Sequence, residues 1–307
     1  MPALPRVAIT LGDPAGIGAE IVYRAVNSLE IQSVCSPIVF GDRQTLLKYF
    51  KNRTNCALIE SSAVKEKIKI GIPSASGGKA AYFAVKKAVE FCLNNKINLA
   101  TAPVSKESLK LAGVEYPGHT ELLAALTKSK KVAMMMVCGN INSVMVTRHI
   151  PLSAVSSALK SAHIAQTVRL AYAFLKKRGI NKIKVALCGL NPHAGDNGIL
   201  GNEEKKIIFP AYKILKKEGI NITAPMPADS AWLKTKNGSY DLICGMYHDQ
   251  IMIPLKCIDA DKIVNVTAGL PFVRTSPGHG TAFDIAGKNK ACARAMTAAI
   301  LYAAKQK

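Results

Sequence analysis

Residues 7–28 read VAITLGDPAGIGAEIVYRAVNS, and this stretch decides the fold class. Its first segment, 7–11, is short and mostly apolar, which is typical of a buried strand. A glycine-rich turn follows at 12–18, and apolar and polar positions then recur with helical spacing up to residue 28. A strand, a turn and a helix in this order form the repeating unit of α/β proteins, so we expect the same pattern further along the chain.

The alternation continues towards the C-terminus. Short apolar segments predict strands, and longer amphipathic segments predict helices. The predicted strands are 7–11, 37–40, 99–102, 132–138, 143–147, 184–188 and 241–244. The predicted helices are 17–28, 78–94, 161–178, 202–218 and 280–305. We therefore expect an α/β protein with a mostly parallel sheet.

The composition bounds the class of protein. The 307 residues allow two domains of ordinary size, and 49% of them are hydrophobic. No apolar run is long enough to span a bilayer, and the first residues lack the pattern of a signal peptide. We therefore expect a cytosolic protein without a membrane partner. The eight cysteines are dispersed without a Cys-x-x-Cys pair, which argues against a zinc ribbon or a redox pair.

The charge is strongly basic. The net charge is +21, from 41 basic and 20 acidic residues, and such a value invites a nucleic-acid-binding interpretation. The lysines, however, are spread along predicted helix faces, without interleaved aromatics or a recognised nucleic-acid motif. We interpret them as solvated helix faces that would also attract an anionic substrate, and we expect no nucleic-acid partner.

Three histidines lie in polar turns that each follow a predicted strand, namely His149, His193 and His248. No local motif joins them, so only the fold can bring them together. Neutral imidazole is the commonest metal ligand in proteins, and three imidazoles suit a catalytic divalent ion. A single histidine of this kind is more often a turn residue. Three in matching settings favour a metal-using enzyme, with zinc as the first choice and magnesium or cobalt as alternatives.

Two polar sets are candidate anion contacts. Lys256, Asn265 and Arg274 lie close together in the sequence, and an arginine there suits bidentate capture of a carboxylate or phosphate. His119 and Thr120 lie at the start of a predicted helix. The imidazole there could contact a phosphate or carboxylate, whereas the hydroxyl could equally cap the helix.

Two carboxylates are candidates for moving a proton. Asp249 directly follows His248, where it could orient a ligand or act as a base. Asp229 could act as a base or as a helix N-cap, and both interpretations stay open. Of the other histidines, His163 lies within an amphipathic helix and is interpreted as structural. His279 lies in a glycine-rich turn, where capping and cofactor contact both stay open.

Three glycine-containing segments, 12–18, 77–79 and 278–280, lie beside predicted helices. The first is a plausible anion-binding turn, because a helix N-terminus offers free backbone N–H groups. None of the three matches the Rossmann or P-loop pattern. Taken singly, all three are more typical of turns and helix caps, so a standard nucleotide site is not expected.

Taken together, these motifs resemble the 4-hydroxythreonine-4-phosphate dehydrogenase family of pyridoxal phosphate biosynthesis. The resemblance covers nearly the whole chain. It rests on GDPAGIG at 12–18, TAPV at 101–104, GHTE at 118–121, HIPL at 149–152, GLNPHAG at 189–195, PAD at 227–229, YHDQ at 247–250, VNVTAGLPFVRTS at 264–276 and HGTAFDIAG at 279–287. Ile251 is a departure, because a glycine is usual in the family at this position.

The resemblance implies an isocitrate/isopropylmalate dehydrogenase-like fold, with two α/β domains and the active cleft between them. We place the first domain at 1–126 with 277–307, and the second, which carries the metal ligands, at 127–276. The resemblance also implies a homodimer whose metal site takes ligands from both subunits. The implied ligands are His149, His193 and His248. The implied substrate contacts are His119, Thr120, Lys256, Asn265 and Arg274.

The implied reaction is NAD- or NADP-dependent oxidation of the C3 alcohol of 4-phosphooxy-L-threonine, followed by decarboxylation to 3-amino-2-oxopropyl phosphate. The candidate bases are Asp249, Asp229 and Lys256, and no residue is assigned to the nicotinamide cofactor. One alternative is a related dehydrogenase of a 4-phosphorylated sugar acid of the threonate or erythronate type. Others are a phosphotransacetylase-like acyltransferase and a non-enzymatic basic binding or scaffolding protein.

Overall fold

The structure, a computed structural model, describes residues 3–50, 55–62, 64–116 and 118–306. Its strands are β1 (Arg6–Thr10), β2 (Ser36–Asp42), β3 (Ala57–Ser62), β4 (Asn98–Thr101), β5 (Ala133–Cys138), β6 (Ile141–Met145), β7 (Val185–Leu187), β8 (Leu242–Gly245), β9 (Val264–Ala268) and β10 (Arg274–Pro277). Its α-helices are α1 (Gly18–Val26), α2 (Leu29–Gln32), α3 (Arg43–Phe50), α4 (Ala75–Asn95), α5 (Lys106–Leu111), α6 (His119–Leu126), α7 (Val155–Ala158), α8 (Ser161–Lys177), α9 (Phe209–Lys217), α10 (Ala228–Lys236), α11 (His248–Asp259) and α12 (Arg294–Ala304). The chain divides into two compact units, Met1–Lys131 with Val264–Lys307 and Val132–Ile263.

The first unit is built on strands in the order β3-β2-β1-β4-β10-β9. All neighbours in this order are parallel except β10 and β9, which are antiparallel. Successive side chains of β1 point to opposite faces, so that Val7 and Ile9 pack with α1 and α12, while Ala8 packs with α4 and α6. Helices thus cover both faces, as is usual for parallel sheets. The predicted α/β class with a mostly parallel sheet is confirmed.

The second unit contains strands in the order β5-β6-β8-β7. β5 and β6 form an antiparallel hairpin, whereas β6, β8 and β7 are parallel neighbours. Helices α10 and α11 pack on one face through a core that includes Trp232, Ile251 and Leu255. Because parallel strands end at the same edge, the chain segments that follow β6, β8 and β7 leave the sheet on one side. Among the described residues, no helix combines the length and apolar character that a membrane span requires.

The unit boundary differs from the predicted domain boundary at 276/277. Segment 264–276 lies in the first unit, with the N-terminal residues, rather than in the second. The physical reason is strand pairing, since β9 pairs with β10 and β10 pairs with β4. The other boundary falls at 131/132, a few residues after the predicted 126/127.

The predicted helix 280–305 is wrong over its first half, because α12 begins only at Arg294. The glycine-containing segment 278–280 therefore does not open that helix. The preceding residues form turns, and the φ angles of Ala282 and Asn289 are positive. Contacts with α1 hold this segment: Glu20 accepts a hydrogen bond from the backbone N–H of residue 287, and Arg24 donates to the backbone carbonyls of residues 289 and 291. These long-range contacts override the local helical pattern.

Candidate active site

The first unit contains a buried arginine that is hydrogen-bonded to two threonines. Arg274 begins β10 and is only 1% exposed. Its Nε and Nη2 donate hydrogen bonds to Oγ1 of Thr101, at 3.1 and 2.6 Å, and its Nη1 donates to Oγ1 of Thr267 at 3.2 Å. Strand register explains these contacts, because Arg274 lies opposite Thr267 on β9 and beside Leu99 on β4, two residues before Thr101. Burial lowers the pKa of Arg274 to about 9.

The positive charge of Arg274 has no carboxylate partner among the described residues. A guanidinium carries five N–H groups, and the two threonine hydroxyls accept three of them. One N–H on Nη1 and one on Nη2 remain. A buried charge without compensation is strongly destabilising, so this arrangement suits an anion that accepts both remaining N–H groups.

Two further polar atoms near this arginine are buried without a hydrogen-bond partner among the described residues: Nε2 of His119 and Oδ1 of Asn265. His119 begins α6. Burial first, and then the charge of Arg274, hold the pKa of its imidazole well below the usual value, so that the ring is neutral at neutral pH. Asn265 lies two residues before Thr267 on β9, and therefore on the same face. Unpartnered buried polar atoms are costly, and such atoms are typical of a place where a ligand binds.

The hydroxyls that hold Arg274 were not singled out from the sequence. Thr101 lies in a motif that the resemblance uses, TAPV at 101–104, but no role was assigned to it. Thr267 lies two residues after Asn265 on β9 and therefore on the same face of the strand. This two-residue periodicity was the signal in the sequence that could have identified Thr267. Thr10 is a further buried hydroxyl that the sequence motifs did not indicate. It lies in register with Thr101 on the neighbouring strand, and its Oγ1 is buried without a partner among the described residues.

In the second unit, two of the predicted metal ligands lie side by side. His149 follows β6 and His248 follows β8, and their ring centroids are 5.6 Å apart with an interplanar angle of 48°. Nδ1 of His248 lies 2.6 Å from Oδ1 of Asp249. A carboxylate oxygen accepts hydrogen bonds, so this contact suits the tautomer with the proton on Nδ1, in which Nε2 of the neutral ring can bind a metal ion. That is the usual arrangement around metal-ligating histidines, in which a carboxylate orients the ring.

His193 differs from this pair in its backbone conformation. It follows β7 in an exposed turn with left-handed backbone dihedrals. Within the described part of one chain, no group of three histidine, cysteine, aspartate or glutamate side chains could hold a metal ion. The fold of a single chain thus brings His149 and His248 together, and the participation of His193 stays a prediction.

The remaining candidates occupy exposed positions. Lys256 lies on α11, eight residues after His248, which corresponds to about 12 Å along a helix axis. Asp229 lies in the first turn of α10 and accepts a hydrogen bond from the backbone N–H of Ser230 at 2.7 Å. Pro227 occupies the N-cap position, so Asp229 is not the N-cap.

Ile251, which stands where a glycine is usual in the resembled family, is instead buried in the core of the second unit.

The glycine-rich turn at 12–18 is a structural turn in this fold. The backbone N–H groups of residues 13, 15, 16 and 17 all donate to protein acceptors, so none of these four is left for an anion. Gly12 has φ of +71°, and a Cβ at this position would lie 2.1 Å from the carbonyl oxygen of Pro103. Only glycine permits this close approach of two backbone segments.

Known proteins are similar to this chain over most of its length. Residues 33–303 match the family described as pyridoxal phosphate biosynthetic protein PdxA. A 4-hydroxythreonine-4-phosphate dehydrogenase from Sulfurihydrogenibium sp. (strain YO3AOP1) is 41% identical over 301 residues, which cover 92% of each chain. A D-threonate 4-phosphate dehydrogenase from Salmonella typhimurium is 38% identical over 317 residues, which cover 96% of each chain.

A solved structure matches the whole chain. The crystal structure of 4-hydroxythreonine-4-phosphate dehydrogenase from Klebsiella pneumoniae has a TM-score of 0.91 at 34% identity and covers 100% of both chains. This match confirms the predicted fold class, and the relatives confirm the resemblance drawn from the motifs. The chain belongs to the PdxA family of pyridoxal phosphate biosynthetic proteins.

Proposed function

We propose that this protein is an NAD(P)-dependent oxidoreductase that oxidises the C3 alcohol of 4-phosphooxy-L-threonine and decarboxylates the product to 3-amino-2-oxopropyl phosphate. Family membership and the relatives named for this activity support the reaction. Within the molecule, one observation carries the proposal: the guanidinium of Arg274 is buried, has no carboxylate partner among the described residues and keeps two N–H groups. A phosphate or carboxylate of a small substrate suits these two donors.

The neighbouring polar atoms suit the rest of such a substrate. Oδ1 of Asn265 is a pure acceptor, so it suits an ammonium or hydroxyl group of the ligand. The neutral ring of His119 can exchange one hydrogen bond through Nε2 without adding a second positive charge beside Arg274. Thr120 is buried directly after it in α6. We also propose Lys256 as a substrate contact, on the resemblance alone.

The donor chemistry of the second unit fits a divalent metal ion. We propose His149 and His248 as ligands, with His193 as the third. Zinc is the first choice for imidazole ligands, and magnesium or cobalt are alternatives. Such an ion, when bound, would acidify the substrate alcohol and polarise the ketone that decarboxylates. Because Asp249 is hydrogen-bonded to His248, we expect it to orient that ring, which leaves Lys256 and Asp229 as candidate bases.

We further propose a homodimer in which the metal site is completed across the interface. The turns that follow His149 and His193 expose large apolar side chains, with Leu152 71% and Ile199 78% exposed. Such residues in the turns of a polar site are typical of a surface that another protein covers. A hydrogen bond of 2.7 Å between Oγ of Ser156 and Oε1 of Glu203 joins the segments that follow the two turns.

A second candidate substrate has its own support, since the Salmonella typhimurium relative is named for D-threonate 4-phosphate. Both substrates place a phosphate and a carboxylate around an alcohol, so the anion site suits either one. They differ at C2, which carries an ammonium group in one and a hydroxyl in the other. The acceptor atom of Asn265 suits both groups, and kinetics must decide between them.

The test is a steady-state assay of NADH or NADPH formation with the zinc-loaded protein. We expect kcat/KM for 4-phosphooxy-L-threonine to exceed that for D-threonate 4-phosphate. The opposite ratio would assign the chain to the second substrate. If neither compound reduces NAD or NADP with zinc, magnesium or cobalt present, the proposed dehydrogenase function is wrong.

A further inference from the structure

The turn that carries His193 has an unusual backbone. Five consecutive residues, 193–197, have left-handed dihedrals, with φ between 41° and 80°. Only Gly195 among them adopts this conformation without a steric cost. A run of this kind persists only where surrounding contacts hold it in place. The structure must therefore contain a group that stabilises the turn.

Two neighbouring residues contact the turn: Lys205, whose Nζ donates to the backbone carbonyl of Asn197, and Glu204. Glu204 is 6% exposed and begins a π-helical segment, Glu204–Ile208, that leads into α9. Its Oε1 accepts hydrogen bonds from the backbone N–H groups of Leu190 and Asn191, both at 2.8 Å, and its Oε2 accepts one from Nδ2 of Asn191 at 3.0 Å. Both carboxylate oxygens thus accept hydrogen bonds from the two residues directly before Pro192, where the segment that carries His193 begins.

The carboxylate of Glu204 also packs directly against the turn itself. A Cβ at Gly195 would lie 2.6 Å from Oε2, and a Cβ at Gly189 would lie 3.1 Å from Oε1. These glycines allow the carboxylate to lie against the backbone before and after His193. Glu203 supports the same place from one side, because its Oε2 accepts a hydrogen bond from Nδ2 of Asn191 at 2.9 Å.

We propose that Glu204 is a positioning residue that holds the left-handed turn and so sets the place of the His193 imidazole, an inference that rests on the proposed role of His193 as a metal ligand. Glu204 does not bind the metal; it acts through the backbone. The π-helical segment that begins at Glu204 fits this role, because such segments are frequent at functional sites. Three N–H groups of Leu190 and Asn191 donate to the carboxylate of Glu204. A glutamine amide at this position would turn its own NH2 group towards one of these donors and lose that hydrogen bond.

The test measures zinc affinity by competition with a chromophoric chelator, with folding checked by circular dichroism. Four proteins are compared: the wild type, His193→Ala, Glu204→Gln and Glu218→Gln. Glu218 is the matched control, because it is a surface carboxylate that pairs with Arg169 and does not contact the turn. We expect His193→Ala to weaken zinc binding strongly, Glu204→Gln to weaken it about 10–100-fold, as for loss of a group that orients a ligand, and the control to bind as the wild type does.

The outcomes separate the two proposals. If His193→Ala binds zinc as the wild type does, the assignment of His193 as a ligand is wrong. If His193→Ala weakens binding while folded Glu204→Gln keeps wild-type affinity, the ligand assignment stands and the positioning role is overturned. If Glu204→Gln does not fold, Glu204→Asp decides, since it keeps the charge but withdraws the carboxylate by one methylene. We expect weaker zinc binding in that variant, and wild-type affinity there would overturn the proposal.

Discussion

The two candidate binding regions of the molecule are built in opposite ways. Around Arg274, side chains on the face of a sheet converge in a buried place, and regular strand register positions them. Around His193, an exposed turn extends beyond the end of a strand and adopts a backbone that most residues avoid. The first region costs free energy through buried, uncompensated polarity, and the second through backbone strain. Each of these two free-energy costs is typical of a functional site.

The largest effect is expected from the histidine pair. Replacing His248 by Ala should abolish turnover and weaken zinc binding by more than the roughly 10–100-fold that follows loss of a group that merely orients a ligand. Asp249→Asn, which keeps the ring but changes its hydrogen bond, should fall within that smaller range. Zinc titration and NADH formation measure both. Wild-type zinc affinity in His248→Ala would show that the pair with His149 is not a metal site.

A mixing experiment sharpens the same point. If His149 and His248 are contributed by opposite subunits to one site, a heterodimer of His149→Ala and His248→Ala chains should regain part of the activity. Their proximity of 5.6 Å within one chain instead predicts that the pair acts together, and then no activity returns. We expect no recovery for this pair and partial recovery for His193→Ala with His248→Ala. A fully active monomer in sedimentation assays would contradict the shared site altogether.

The next largest effect concerns Arg274. Arg274→Ala should weaken substrate binding by about 3 kcal/mol, roughly 100-fold in KM, because two charge-assisted hydrogen bonds are lost. Arg274→Lys should restore this only in part, since a point charge replaces a planar fork. Steady-state kinetics test both variants. Unchanged KM in Arg274→Ala would exclude an anion site at this guanidinium.

Arg274 also allows the free-energy cost of its buried charge to be tested. Arg274→Met removes an uncompensated buried charge at similar volume, so we expect the free energy of unfolding without substrate to rise by about 1–4 kcal/mol. Thermal unfolding measures the change, and activity should be lost at the same time. A less stable Met variant would mean that the hydrogen bonds to Thr101 and Thr267 already compensate the charge.

A smaller effect is expected at Thr101. Its hydroxyl accepts two N–H groups of Arg274, so Thr101→Val should cost about 1–2 kcal/mol of substrate binding, mainly as an increase in KM. Thr101→Ser is the matched control, because it keeps the hydroxyl and should behave nearly as the wild type does. Equal KM values in the Val and Ser variants would show that Thr101 does not position the arginine.

The smallest effect is the pH dependence of stability. The folded-state pKa of His119 is lowered, so below the ordinary value near 6.5 the unfolded chain binds a proton that the folded protein excludes. This ring should cost about 1.4 kcal/mol of stability at one pH unit below that value. Urea unfolding of the wild type and His119→Gln, as a function of pH, should show a shallower slope in the variant. Part of the slope should remain, because the pKa of His163 is also lowered by burial. Equal slopes would place the His119 ring in solvent.

Much of the fold was predictable because its signals are local. The apolar runs that became β1, β2 and β4 to β8 are continuous, as expected for strands covered on both faces. His149, His193 and His248 could be recognised as a set because each follows such a run, although His248 begins α11 and does not lie in the predicted turn. By contrast, residues 280–293 were predicted as helix but form turns, because Glu20 and Arg24 on a helix distant in sequence hold their backbone.

The α/β class, the family and most of the candidate polar residues follow from the amino-acid sequence alone, since short-range pattern and residue type carry that information, but Thr101, Thr267 and Glu204 do not. Which atoms of the polar residues lack hydrogen-bond partners, and which turn is strained, can be seen only in the folded chain. Arg274 and Thr101 lie 173 residues apart in the chain, and their contact follows from the pairing of β4 with β10. Glu204 and the His193 turn are closer in sequence, yet their contact depends on a π-helical segment and two glycines. Burial and pairing are properties of the packed chain, and local residue preferences do not encode them.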